Sequence, residues 1–93
     1  MKKLEMIIET VELNSLIKMI EKVGVHGFTI LNGVTGMGKH GKSVSTSLVD
    51  VGDYNMVIVV DEEEVINKLI ETVKPFLKKY SGVMFLSNVE IVS

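Results

Sequence analysis

A glycine-rich segment in the middle of the chain carries the strongest chemical signal in the sequence. Residues 36–43 read GMGKHGKS, a literal match to the phosphate-binding pattern G-x-x-x-x-G-K-S/T. In NTPases with this pattern, a helix follows the lysine directly and offers free backbone N–H groups to the phosphates. Here the next residues are VSTSLVDVGD, through which no apolar helical face can be drawn. The sequence therefore favours a phosphate-contacting loop of another kind over an NTPase loop.

Gly36 and Gly38 provide a second way of binding phosphate. Because glycine has no Cβ, successive backbone N–H groups can close around an anion without any helix. Lys39 follows directly and adds a cation of suitable reach, and Lys42 is a further candidate. The remaining alternative is a flexible glycine-rich connection between two strands that matches the pattern by chance.

Titratable side chains elsewhere do not form a recognisable catalytic set. The chain contains no cysteine and two histidines, His26 and His40. His26 is interpreted as a turn residue after a helix, and His40 as a solvated loop residue. The aspartates lack the spacing of a nucleophile, a base and an orienting group. We therefore predict no catalytic residues, no metal ligands and no enzymatic activity.

Composition narrows the class of protein further. The 93 residues suffice for one domain, and we predict a single domain over residues 1–93. The net charge is −2 and the chain has three phenylalanines, two tyrosines and no tryptophan, so no nucleic-acid-binding surface is expected. No apolar run is long enough to span a membrane, and the first residues do not resemble a signal peptide. The sequence thus predicts a cytoplasmic protein.

The hydrophobic pattern predicts two copies of a strand–helix–strand unit. Each predicted helix has apolar residues on one side, and Gly24 stands where a helix-ending glycine is expected. Asp61 is predicted to cap the second helix, with Glu64 completing a capping box. Pro75 is expected to kink the last turn of that helix or to end it near Thr72. The predicted elements are a strand at 3–8, a helix at 11–23, a strand at 27–34, a strand at 54–60, a helix after residue 61 and a strand at 83–92.

This order predicts a ferredoxin-like βαββαβ fold, an α+β architecture with a four-stranded antiparallel sheet and two helices on one face. The third strand is apolar on both sides, because Met56, Ile58 and Val60 alternate with Val57 and Val59. The helices can cover only one side of the sheet. We therefore expect other copies of the chain to bury the uncovered side in a homo-oligomer.

Several stretches of the sequence resemble the PII signalling proteins. They are the start Lys2-Lys3-Leu4, GVHGFT over residues 24–29, VTGMGK over residues 34–39 and SGVMFL over residues 81–86. Members of that family begin with a Lys-Lys-apolar strand and carry Gly-x-x-Gly-x-Thr at the entrance to the second strand. They then have Gly-x-Gly and a basic residue at the start of a long mobile loop. The chain is similar to the family over nearly its whole length, and most specifically in residues 1–40.

The resemblance implies a homotrimer of ferredoxin-like subunits that binds an adenine nucleotide (ADP, AMP or ATP) in the clefts between subunits. It implies a non-enzymatic signalling protein whose flexible central loop, residues 35–53, is a shortened form of the family's T-loop. That loop would regulate a partner such as a transporter or an enzyme. By position, the resemblance also implies a nucleotide site formed by Gly36, Met37, Gly38, Lys39, Thr29, Gly82, Ile7 and Val59.

Departures from the family pattern narrow what this site is expected to bind. Val83 replaces a phosphate-binding lysine, the second nucleotide loop is shortened to residues 80–82, and His40 replaces a glutamine that helps to hold magnesium and 2-oxoglutarate. The family's C-terminal arginines do not occur in residues 1–93. A less charged nucleotide (AMP, ADP or a cyclic form) is therefore favoured over ATP with 2-oxoglutarate, and a chain that binds no nucleotide remains an alternative.

Two other functions remain open from the sequence. A trimer that resembles CutA would share this architecture and would be structural or bind copper or zinc through His26 or His40. A small NTPase would use Lys42 and would hydrolyse ATP.

Overall fold

The strands and helices follow one another along the chain in the predicted βαββαβ order. The computed structural model describes residues 1–35 and 53–93. In these residues the elements are β1 (Lys2–Glu9), α1 (Thr10–Val23), β2 (Thr29–Val34), β3 (Tyr54–Asp61), α2 (Glu63–Lys79) and β4 (Val83–Asn88). The strands form one four-stranded antiparallel sheet in the order β2-β3-β1-β4. The ferredoxin-like fold class is confirmed.

The last strand is shorter than predicted. β4 ends at Asn88 and does not continue to residue 92. It runs antiparallel to β1, and Asn88 already pairs with Lys2, the first residue of β1. The Val89 N–H still donates to the Met1 carbonyl at 3.1 Å, but β1 offers no residue beyond this point for pairing. The strand therefore ends where its partner β1 begins, and not where the apolar pattern of residues 89–92 ends.

Helix α1 ends as the sequence predicts. Gly24 adopts the left-handed conformation with φ at 89°, and its N–H donates to the Glu21 carbonyl. Leu16 and Ile20 are fully buried against the sheet, and Leu13, Ile17 and Val23 pack around them. The helix is therefore held by one apolar face and terminated by a glycine.

Helix α2 follows residue 61 as predicted, but the predicted capping box does not form, and of the two alternatives at Pro75 the early end near Thr72 is wrong. Its first turn has Glu62 as the N-cap and no side-chain capping bond, so the capping box of Asp61 and Glu64 is wrong. Asp61 is instead the last residue of β3. Pro75 does not end the helix, which continues to Lys79. Val73 and Leu77 are both buried in the core, and they hold the helix on either side of the exposed proline.

The sheet has one covered face and one open face. The covered face packs on the helices and buries its side chains completely, or nearly so: Leu4, Met6, Ile8, Val57 and Val59. We use "open face" for the apolar side chains on the other side of the sheet: Ile7, Leu31, Met56, Ile58, Val60, Val83 and Phe85. Phe85 is 56% exposed and Leu31 is 46% exposed. The predicted two-sided apolar character of β3 is confirmed.

A β-bulge interrupts the edge of the sheet at β2. Asn32 pairs with Asn55 and Val34 pairs with Tyr54, so Gly33 is an extra residue. Its φ of 70° lies in the left-handed region that glycine adopts without strain.

Neither helix that the structure describes has the length and hydropathy needed to cross a bilayer.

Candidate functional site

The predicted phosphate loop lies outside the described residues. This applies to Gly36, Met37, Gly38 and Lys39, and equally to His40 and Lys42. Of the predicted site, the structure describes Ile7, Thr29, Val59 and Gly82.

Ile7 and Gly82 lie next to each other. Ile7 is half-buried on the open face of β1 and pairs with Met56 on one side and Val83 on the other. The Gly82 N–H donates to the Leu77 carbonyl at 2.7 Å. A Cβ on Gly82 would lie 2.9 Å from the Ile7 carbonyl oxygen and 2.6 Å from Leu77 Cδ2. This turn therefore requires glycine because of the close approach of β1.

Thr29 lies in a separate, shallow pocket at the β2 side of the open face. It is exposed and pairs with Ile58. The pocket has a volume of about 280 Å³ and is lined by Gly27, Phe28, Thr29, Ile58 and Val60. The lining combines apolar side chains, such as Ile58 and Val60, with polar atoms, which in these five residues can only be backbone groups and the Thr29 hydroxyl. Such a lining suits a flat group that also carries hydrogen-bonding atoms.

The side chain of Val59 does not join the other predicted residues. It is fully buried on the covered face, where Val59 pairs with Leu4. Its neighbours Ile58 and Val60 point the other way and line the Thr29 pocket. Because side chains alternate along a strand, neighbouring residues of β3 lie on opposite faces of the sheet.

A contact between His26 and Asp61 was not predicted. The His26 backbone N–H donates to Asp61 Oδ2 at 2.9 Å, and His26 Nδ1 lies 3.1 Å from Oδ1 and 3.0 Å from Oδ2. The Glu62 N–H donates to Asp61 Oδ1 at 2.8 Å. The Asp61 side chain is 2% exposed, whereas the His26 side chain is 82% exposed. His26 is a turn residue as predicted, but the turn is fastened to the end of β3.

The surroundings of Asp61 favour its ionised form. Burial by itself would raise the pKa of this carboxyl. The hydrogen bonds from the His26 and Glu62 backbone N–H groups and from the His26 ring outweigh that effect and hold the pKa of Asp61 below its ordinary value. An ionised carboxylate only accepts hydrogen bonds, so Nδ1 is the protonated ring nitrogen of His26.

A second polar network connects Thr10, at the start of α1, with Asp53 and Asn55 around the start of β3. The Thr10 N–H and hydroxyl both donate to the Asp53 carbonyl, at 2.7 and 2.9 Å. The buried side chain of Asn55 donates from Nδ2 to the Thr10 hydroxyl oxygen at 2.7 Å. These bonds connect the start of α1 to the start of β3.

Metal-binding clusters do not occur in the two described ranges, where no three His, Cys, Asp or Glu side chains come together. His26 has Asp61 as its acidic neighbour, and the two contribute two candidate ligands where a structural site needs about four. The described residues thus offer no built metal centre.

Comparison with known proteins gives the class to which this fold and site belong. The family model "Nitrogen regulatory protein P-II" matches residues 1–93. The chain therefore belongs to the P-II family. No curated protein matches it at a significant level.

Similar solved structures agree with this assignment. CPII, a nitrogen regulatory PII-like protein from Thiomonas intermedia K12, has been solved bound to ADP, AMP and bicarbonate. That structure is 29% identical, with a TM-score of 0.80 over 99% of this chain and 92% of CPII. CPII bound to ADP and bicarbonate is 32% identical, with a TM-score of 0.79 over 97% of this chain and 86% of CPII. A putative PII-like signaling protein from Thermus thermophilus is 18% identical with a TM-score of 0.74, over 98% of this chain and 87% of that one, and shows the same fold.

Proposed function

We propose that this protein is a non-enzymatic sensor that assembles as a homotrimer and binds an adenine nucleotide, ADP or AMP, in the clefts between its subunits. The nucleotide state would set the shape of the central loop, residues 35–53. That loop would contact and regulate a partner, such as a transporter or an enzyme, in the cytoplasm.

One observation carries the proposal. The chain is similar over 97–99% of its length to two CPII structures, at 29–32% identity, and these are bound to ADP and bicarbonate or to ADP, AMP and bicarbonate. The similarity includes the parts of the chain that surround the Thr29 pocket and the Gly82 turn. This similarity supports the transfer of the ligand class from CPII to this chain.

The open face supports the assembly. One row of apolar side chains crosses all four strands of this face without interruption: Leu31, Met56, Ile7 and Val83. Lys3 and Glu5 on β1 interrupt the neighbouring rows. Nothing in the described part of a single chain covers this face. Exposed apolar surfaces of this kind mark interaction sites. A chain of 93 residues also has a small core and gains stability when such a surface is buried between subunits.

The two described parts of the site lie on different halves of the sheet. The Thr29 pocket lies at β2 and β3, whereas Ile7 and Gly82 lie at β1 and the start of β4. In a closed ring of three copies, each interface joins one patch of a subunit to a different patch of the next. The proposal therefore brings the Thr29 pocket of one subunit towards the Ile7–Gly82 turn of its neighbour.

Roles within this cleft follow from the chemistry of the residues. The Thr29 pocket would take the adenine ring, since its lining offers both apolar contacts and polar atoms that can bond to the ring nitrogens. Gly36, Met37, Gly38 and Lys39 would surround the phosphates through backbone N–H groups and one ammonium group. Val59 would contribute only as support beneath the wall formed by Ile58 and Val60.

Calorimetry tests the binding proposal. ADP, AMP, ATP and cyclic AMP are titrated into the protein, and heat is expected with ADP or AMP. Thr29→Val removes the pocket hydroxyl without changing side-chain size, and we expect ADP to bind about tenfold more weakly. Thr72→Val is the matched control, because its hydroxyl donates to the Lys68 carbonyl on α2, away from the sheet. Absence of heat with every nucleotide would overturn the proposal.

Two further measurements test the assembly and the absence of catalysis. Light scattering is expected to give about 31 kDa, three times the 10.3 kDa chain. Phosphate release under saturating magnesium and ATP is expected to stay at the level of the buffer. A monomer, or turnover that is lost in Lys42→Ala, would contradict the corresponding part of the proposal.

A further inference from the structure

The contact between His26 and Asp61 connects the two walls of the Thr29 pocket. His26 directly precedes Gly27, Phe28 and Thr29, which form one wall. Asp61 directly follows Val60, which forms the other wall with Ile58. The contact therefore lies at one end of the pocket, where the two walls come together, and neither residue lines the pocket itself.

The contact is well built for holding one segment against another. The Asp61 carboxylate is 2% exposed and accepts hydrogen bonds from two backbone N–H groups and one ring N–H. Hydrogen bonds to an ionised group are roughly twice as strong as neutral ones. In addition, no buried side-chain nitrogen or oxygen in residues 1–35 and 53–93 lacks a partner. Removing the carboxylate would leave the His26 and Glu62 backbone N–H groups without this acceptor.

We propose that Asp61 is a positioning residue for the nucleotide pocket: acting through His26, it fixes the segment Gly27–Thr29 against β3 at the spacing that the ligand requires. This inference rests on the proposed function for the identity of the ligand. It assigns a role to two residues that do not line the pocket. A fixed wall lowers the ordering cost that a ligand meets on binding.

The Asp61→Asn substitution tests this role most directly. An amide has one acceptor oxygen and one donor NH₂ group, whereas both carboxylate oxygens of Asp61 accept from backbone N–H groups. In the asparagine variant, the side-chain NH₂ group therefore faces either the His26 N–H or the Glu62 N–H, and that backbone donor loses its hydrogen bond. We expect ADP to bind about tenfold more weakly, as measured by calorimetry. Glu63→Gln, which neutralises a neighbouring carboxylate outside the contact, is expected to change the affinity by less than about twofold.

Two variants of His26 separate the ring from the backbone. His26→Ala keeps the backbone N–H and removes the ring donor, and we expect about three- to tenfold weaker ADP binding. His26→Asn returns an amide N–H near the position of Nδ1, so the affinity should recover to within about twofold of the wild type.

Weaker ADP binding by Asp61→Asn could come from a less stable fold or from a displaced Gly27–Thr29 segment, and a further variant distinguishes the two. Val73→Ala removes buried side-chain volume from α2, in the core and outside the pocket lining. If Asp61 positions the pocket, this variant is destabilised but binds ADP normally. If Val73→Ala weakens ADP binding as much as Asp61→Asn does, the positioning role is refuted.

Nuclear magnetic resonance gives a readout that needs no nucleotide. The His26 ring is expected to show the tautomer protonated at Nδ1, and the amide signals of Gly27, Phe28 and Thr29 should shift in Asp61→Asn but not in Glu63→Gln. Unchanged signals in folded Asp61→Asn would overturn the inference. If the wild type binds neither ADP nor AMP, the proposed function fails while these signals still decide whether Asp61 positions the segment.

Discussion

Replacing Gly82 with alanine tests how closely the turn before β4 approaches β1. The new Cβ would lie 2.9 Å from the Ile7 carbonyl oxygen and 2.6 Å from Leu77 Cδ2. Leu77 is 2% exposed and belongs to the core, so its methyl group can move only by displacing its neighbours. The Ile7 carbonyl belongs to β1, which is paired on both sides and cannot shift without breaking the sheet.

The size of the effect follows from these two contacts. Overpacking of a well-filled core costs about 1–3 kcal/mol, and the rigid backbone contact places Gly82→Ala in the upper part of that range. For a domain of this size, about 2–3 kcal/mol corresponds to a fall in melting temperature of roughly 8–24 °C. We expect a matching fall in the urea midpoint with an unchanged slope.

The chain supplies a matched control for this substitution. A Cβ on Gly27 would meet no atom within 4 Å, and its backbone is not in the left-handed region. Gly27→Ala is therefore expected to leave stability unchanged or to raise it by about 0.4–1 kcal/mol through a less flexible unfolded chain. Both proteins are measured by circular dichroism at the same subunit concentration, since the proposed assembly would also contribute to the apparent stability. Equal melting temperatures for the two variants would refute the reasoning.

Four further predictions concern other parts of the molecule. The stability that ionised Asp61 contributes is fully present above the ordinary aspartate pKa of about 4 and is lost as the pH falls through its lower pKa in the folded protein. The difference in urea midpoint between the wild type and Asp61→Asn should therefore shrink in acid, and a constant difference would contradict this. Ile58→Lys places a charge on the open face and is expected to give monomers by light scattering; an intact trimer would refute the proposed interface. Pro75→Ala restores a helix N–H and is expected to raise stability by about 1–3 kcal/mol in urea unfolding, whereas no gain would show that the helix already absorbs the proline. Asn55→Ala removes a buried donor to the Thr10 hydroxyl and is expected to cost about 1–3 kcal/mol by the same assay, so a neutral result would argue against that network.

The local elements could be predicted because their signals are local. Gly24 ends α1 in the left-handed conformation, and the helical spacing of Ile66, Leu69 and Val73 correctly identifies the buried side of α2. The alternation of Met56 to Val60 shows that β3 is apolar on both sides. These patterns depend on residues only a few positions apart, so a single sequence contains them in full.

The errors arise where distant residues decide the outcome. Asp61 was interpreted as a helix cap because Glu64 follows at the right spacing, yet its carboxylate is taken by His26, 35 positions earlier in the chain. A polar residue at the end of an apolar strand was the available signal, but it does not identify its partner. β4 stops at Asn88 because β1 begins at Lys2, and the composition of residues 89–92 cannot show that.

The residues predicted for the site do not all lie together in the described structure. Ile7 and Gly82 do meet, and the contact between them explains why residue 82 is a glycine. Val59 was assigned to the pocket wall from its position in the family pattern, and the structure buries its side chain on the covered face. The binding roles of these residues, and of Gly36–Lys39, remain predictions that the nucleotide titrations address.

The bulge at Gly33 has a consequence for how copies of this chain can add to one another. An edge strand with regular backbone groups can accept another edge strand, and such additions can continue without limit into fibres. At β2 the extra residue breaks the regular spacing of N–H and C=O groups, and it increases the local twist. Growth by edge-to-edge addition is thereby obstructed at β2, while contacts through side chains are unaffected. A finite particle is the outcome that this backbone geometry favours.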